Sequence, residues 1–133
     1  MKNLKGKNVF IVDDDNLSRQ LLRAILRDTP LKLVGEATTG EMALEAMEKL
    51  QPDIVCLDIV MPGIGGIETL KVIREKYPRT ITLMISGEPR GDVVAQAIAN
   101  GAAGFVVKPF NAGRVLDALK HAVSKASTGA TSA

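Results

Sequence analysis

One pattern repeats five times along the chain: a short aliphatic run followed by a longer amphipathic stretch. The short runs are 8–12, 31–37, 54–57, 80–85 and 104–107. Four of them are almost continuously apolar and rich in Val and Ile, which is how strands buried on both faces of a parallel sheet read. The run 31–37 is more mixed and suits the edge of a sheet.

The stretches between them carry helical spacing. Leu17, Leu21, Ala24 and Ile25 form a stripe in 16–27, with Asp15 and Asn16 as the expected capping residues. Ala43, Leu44, Met47 and Leu50 do the same in 41–50. Ile67, Leu70 and Ile73 mark 67–77, which stops at Pro78. Val93, Val94, Ala97 and Ile98 mark 92–100, before Gly101 as a natural stop. Val115, Leu116, Leu119 and Val123 mark 111–125. Strands alternating with helices require crossover connections and a parallel sheet covered on both faces. Five βα units in a chain of 133 residues predict an α/β, three-layer doubly wound (βα)5 fold of the flavodoxin-like kind, with strand order 2-1-3-4-5. One domain over 1–125 is expected, and the small, polar 126–133 reads as a flexible tail or the start of a linker.

Composition narrows the partners. Aromatics are 3% of the chain, too few for a base-stacking surface, and the net charge of +2 implies no nucleic-acid or membrane partner. No apolar stretch approaches the ~20 residues of a membrane span, and no apolar segment follows the N-terminal lysines as a signal peptide would require. The lone Cys56, inside an apolar run, reads as a buried small hydrophobe. The cytoplasm is the expected location.

In an open α/β sheet, ligands bind beyond the carboxyl ends of the strands. Asp13, Asp14 and Asp15 follow the first strand, Asp58 the third, Ser86 the fourth and Lys108 the fifth. In the order 2-1-3-4-5 these four strands are neighbours, so the polar groups gather at one edge. Two like charges ~4 Å apart repel by about 4 kcal/mol at an effective dielectric of ~20. A divalent cation relieves that, and carboxylate oxygens without Cys or His select Mg²⁺ over Zn²⁺. Asp13, Asp14 and Asp58 fit such a site, with Lys108 and Ser86 able to meet a phosphoryl group.

The stretches Val9-Phe-Ile-Val-Asp-Asp-Asp15, Leu57-Asp-Ile-Val-Met-Pro62, Met84-Ile-Ser-Gly87 and Gly104-Phe-Val-Val-Lys-Pro-Phe110 resemble the CheY-like receiver domain of two-component response regulators. The likeness covers about residues 7 to 125. It implies that Asp58 is the phosphoacceptor, that Asp13 and Asp14 hold Mg²⁺ and that Val60 lends a backbone carbonyl to the metal. It implies that Ser86 and Lys108 meet the phosphoryl group, that Phe105 is an aromatic switch and that a cis peptide bond precedes Pro109. The implied partners are a sensor histidine kinase or histidine phosphotransfer protein and an unknown output protein or domain. The 4-5-5 surface (fourth helix, fifth strand, fifth helix) would be the output face. Some receivers dimerise when phosphorylated, so a phosphorylation-dependent dimer is a further expectation. No membrane and no direct nucleic-acid contact are expected of this domain, nor catalysis beyond its own phosphorylation and dephosphorylation.

Two departures stand out. Gly65 occupies a position where many receivers carry Asp, and with Gly63 and Gly66 it makes that loop glycine-rich. Val60, apolar beside the acceptor, would hinder or fail to orient an attacking water and prolong the acyl phosphate; Glu88 would oppose this. The competing class is a small haloacid-dehalogenase-like phosphohydrolase, whose nucleophile motif Asp13-x-Asp15 mimics. Against it, Leu17 stands where Thr or Val is expected, and there is no room for a cap domain.

Overall fold

The computed structural model describes residues 4–87 and 90–132. Its strands are β1 (Asn8–Val12), β2 (Lys32–Ala37), β3 (Ile54–Asp58), β4 (Ile81–Ser86) and β5 (Gly104–Val107). The helices are α1 (Asn16–Arg27), α2 (Gly40–Leu50), α3 (Gly66–Lys76), α4 (Gly91–Ala99) and α5 (Ala112–Ser132). All strand pairs are parallel, in the order β2-β1-β3-β4-β5. This is the expected doubly wound sheet, with the mixed strand β2 at one edge.

Alternation along the strands divides the core in two. Val9, Ile11, Ile54, Cys56, Leu83, Ile85 and Val106 pack with α1 and α5. Phe10, Val12, Val55, Leu57 and Met84 pack with α2, α3 and α4. Cys56 is buried, and that burial pushes its thiol up to about 12. Among the described residues no helix is long and apolar enough to cross a membrane.

In α1 one local expectation is narrowed and one is corrected. Of the two capping residues expected at the start of α1, Asp15 is the N-cap: the Asp15 carboxylate accepts from the Ser18 N–H at 3.2 Å and the Ser18 hydroxyl at 2.8 Å. The buried stripe of α1 is turned by one residue, to Ser18, Leu22, Ile25 and Leu26, leaving Leu17 70% and Leu21 42% exposed. Ser18 can be buried because the cap satisfies its hydroxyl, so a polar residue holds a core position. The helix α5 runs to Ser132.

Candidate functional site

Each acidic group is delivered by a strand end. Asp13 follows β1, and its N–H continues the ladder by donating to Ala37 O at 3.0 Å. The Asp15 N–H donates to Asp13 Oδ1 at 2.9 Å, folding the acidic turn back on itself. Asp58 ends β3, and the Ile59 N–H donates to its Oδ1 at 2.8 Å. Asp13 and Asp58 are buried while Asp14 is exposed. One oxygen from each of the three can be chosen so that all lie within 4.8 Å of one another.

Lys108 follows β5 and reaches across the strand ends. Its Nζ lies 2.9 Å from Asp13 Oδ2 and 3.5 Å from Asp58 Oδ2. Apart from that ion pair, Asp13 Oδ2 accepts no hydrogen bond among the described residues. Burial and then the Asp13 charge push the Asp58 carboxyl up to about 6, against the pull of Lys108 and the Ile59 N–H. Burial also opposes the Lys108 charge. The Asp13 hydrogen bond and the charges of Asp58 and Asp13 outweigh it, holding the ammonium above the usual lysine range.

One ammonium therefore faces three carboxylates, two of them buried. Such a cluster is a candidate cation site. The donors are all hard oxygens, in keeping with Mg²⁺ rather than a softer metal.

Ser86 ends β4 and is fully buried, and its carbonyl accepts from the Lys108 N–H at 2.8 Å. Phe105, in β5, pairs with Met84 and packs, half-buried, against the α2–α3–α4 side of the core. Val60, in the loop after β3, is 61% exposed. The Lys108–Pro109 peptide bond is cis. Glu88 lies outside the described residues. Asp15 spends its carboxylate on capping Ser18, whose hydroxyl holds it below the usual range.

The glycine-rich loop is pinned. Gly66 N–H donates to Ile59 O at 2.7 Å, Ile64 N–H to Glu41 Oε2 at 3.2 Å, and the Thr69 hydroxyl to Gly65 O at 2.9 Å. A Cβ on Gly66 would strike the Asp58 carbonyl oxygen and lie 2.6 Å from Ile59 Cα. Only glycine lets α3 begin so close to the acidic strand end. Sequence reasoning missed this role, as it missed Arg19 of α1, whose Nη1 donates to Asp13 O at 2.8 Å. The available signal was helical: Arg19 shares a face with Leu22 and Leu26, so its charge needs a partner.

The family described as response regulator receiver domain matches residues 9–120. The chemotaxis protein CheY of Thermotoga maritima is 41% identical over 120 residues, 90% of this chain and 99% of that protein. The response regulator domain of Thermotoga maritima CheB superposes with a TM-score of 0.81 at 34% identity, covering 89% of this chain and 96% of that one. A Borrelia burgdorferi structure described as a CheX-CheY-BeF3-Mg²⁺ complex superposes with a TM-score of 0.83 at 32% identity, covering 86% and 87%.

Proposed function

The chain belongs to the response regulator receiver family of two-component signalling, CheY-like in sequence and fold, and on that premise we propose that Asp58 accepts a phosphoryl group in a Mg²⁺-dependent reaction. The observation that carries this is the convergence of Asp13, Asp14 and Asp58, with the Lys108 ammonium touching both buried members. The family is one of signalling proteins, so the modification is a message and not the turnover of a metabolite.

Asp13, Asp14, one Asp58 oxygen and the Val60 carbonyl would hold the metal. When bound, Mg²⁺ supplies charge neutralisation for the acidic cluster and the incoming phosphoryl oxygens. The free Asp58 oxygen attacks phosphorus as the P–N bond of a donor phosphohistidine breaks. The bonding pair returns to the imidazole, and an acyl phosphate forms. The donor is a sensor histidine kinase or a histidine phosphotransfer protein. Lys108 exchanges a carboxylate contact for a phosphoryl oxygen, and the Ser86 hydroxyl donates to another. Phe105 then turns toward the space the hydroxyl vacates, shifting the α4–β5–α5 surface toward the state that an output protein or domain recognises.

Acetyl phosphate with Mg²⁺, read by intact mass, tests this. Wild type gains one phosphoryl adduct, which EDTA or Asp58→Asn abolishes. If Asp58→Asn still incorporates phosphate and Asp13→Asn does not, the dehalogenase-like alternative stands instead.

A further inference from the structure

The acidic turn is held from its outer side by an arginine that touches none of the reacting groups. The Arg19 guanidinium uses all three of its nitrogens: Nη1 donates to Asp13 O at 2.8 Å, Nη2 to Asn16 Oδ1 at 3.1 Å, and Nε lies 3.4 Å from Glu36 Oε1. The Arg19 side chain is 15% exposed and that of Glu36 24%. Glu36 belongs to the edge strand β2, where it pairs with Ile11, and its other oxygen lies 3.3 Å from Arg23 Nε.

The Asp13 carbonyl opens the peptide that leads into Asp14. That peptide is planar, so fixing its oxygen also fixes the direction in which the chain enters Asp14. Asp14 is exposed, and no side-chain hydrogen bond ties it among the described residues. Its carboxylate therefore takes its direction from the peptide that Arg19 clamps.

We propose that Arg19, oriented by Glu36, is a positioning residue for the metal subsite, aligning Asp13 and Asp14 so that both converge with Asp58 on one divalent cation. This rests on the Mg²⁺ reading above. Charge and positioning act with opposite signs here. As a charge, Arg19 repels a cation, so its removal would tighten binding. As a clamp, its removal loosens the acidic pair and weakens binding. Lysine would keep the charge and lose the fork of donors.

The test is isothermal titration of the full chain with MgCl₂ alone, at a temperature where urea unfolding in EDTA shows each variant to be folded. Wild type should bind one Mg²⁺. Arg19→Gln and Arg19→Lys should each weaken binding, by about tenfold, as loss of outer-shell support does at other metal sites. Glu36→Gln should weaken it less. Arg23→Gln, which removes a neighbouring charge without touching Asp13, should leave it unchanged. Unchanged or tighter binding in folded Arg19→Gln or Arg19→Lys overturns the proposal, as does an equal loss in Arg23→Gln. No Mg²⁺ binding by wild type would instead bring down the metal reading and this inference with it.

Discussion

Strand β3 has an aspartate at each end, and the two live in different physics. Asp53 precedes the strand, is exposed, and accepts the Asn8 N–H at 2.7 Å. Around it the N-terminal edge is knitted closed: the Thr80 hydroxyl donates to Pro52 O, and Arg74 donates to Pro78 O. A depression of about 330 Å³ lies there, lined by Gln51, Asp53, Tyr77 and Arg79 among others, yet no carboxylate cluster faces it among the described residues. Asp58 ends the same strand, buried, beside a second buried carboxylate and one shared lysine. One end completes the fold; the other keeps charge that the fold alone leaves unbalanced. Chemistry, and not cavity size, singles out the end proposed to carry the function.

The largest expected effect comes from crowding the working end. Gly66→Ala puts a methyl group against the Asp58 carbonyl and should lower stability by about 3 kcal/mol in urea unfolding. A loss below ~1 kcal/mol would mean that α3 yields easily and that the close approach is incidental.

Next is the dependence on pH without divalent cations. The unfolded chain releases the Asp58 proton near 3.8, and the native state holds it to about 6. Between those values the native state binds more protons, so this group's contribution to stability falls as pH rises and levels off above 6. At ~1.4 kcal/mol per pH unit, ionised Asp58 costs about 2–3 kcal/mol. Subtracting the Asp58→Asn profile from that of wild type in EDTA isolates the effect; a flat difference between pH 4 and 6 would remove the contrast between the strand's ends.

Opposite signs at the two ends make a third test. At pH 8 in EDTA, Asp58→Asn should stabilise by about 1–3 kcal/mol by deleting an ill-balanced charge, while Asp53→Ala should destabilise by about 1 kcal/mol by orphaning the Asn8 N–H. Only the first should abolish the phosphoryl adduct. The smallest effect on folding belongs to exposed Val60. Val60→Asn should shift stability by less than ~0.5 kcal/mol. It should nevertheless shorten the lifetime of the phosphorylated form, read as loss of the adduct over time, because an amide can orient water where an isopropyl group cannot. Equal lifetimes would show that this side chain does not govern the decay.

Much of this was legible in the sequence because it rests on period and order. Aliphatic runs alternating with helical stripes dictate parallel strands, and their order brings residues 13, 14, 58, 86 and 108 to one edge. What escaped depends on three-dimensional exchange. Ser18 lies outside the apolar stripe expected for α1, yet its cap with Asp15 lets it take a core position and turns the helix by one residue. Arg19 and Glu36 drew no reading from the sequence, because their link to the acidic turn joins separate elements. Gly66 stood out only as one glycine of a glycine-rich loop, because a steric limit set by Asp58's own carbonyl is written in no neighbouring residue.

That limit has a mechanical side. The α3 wall of the acidic pocket has no slack: its first residue abuts the acceptor's main chain and is tied to Ile59. On the proposed reading of Asp58 as phosphoacceptor, a change at that residue would be taken up more readily on the side of β4 and β5 than by α3, whose start is set against the Asp58 main chain.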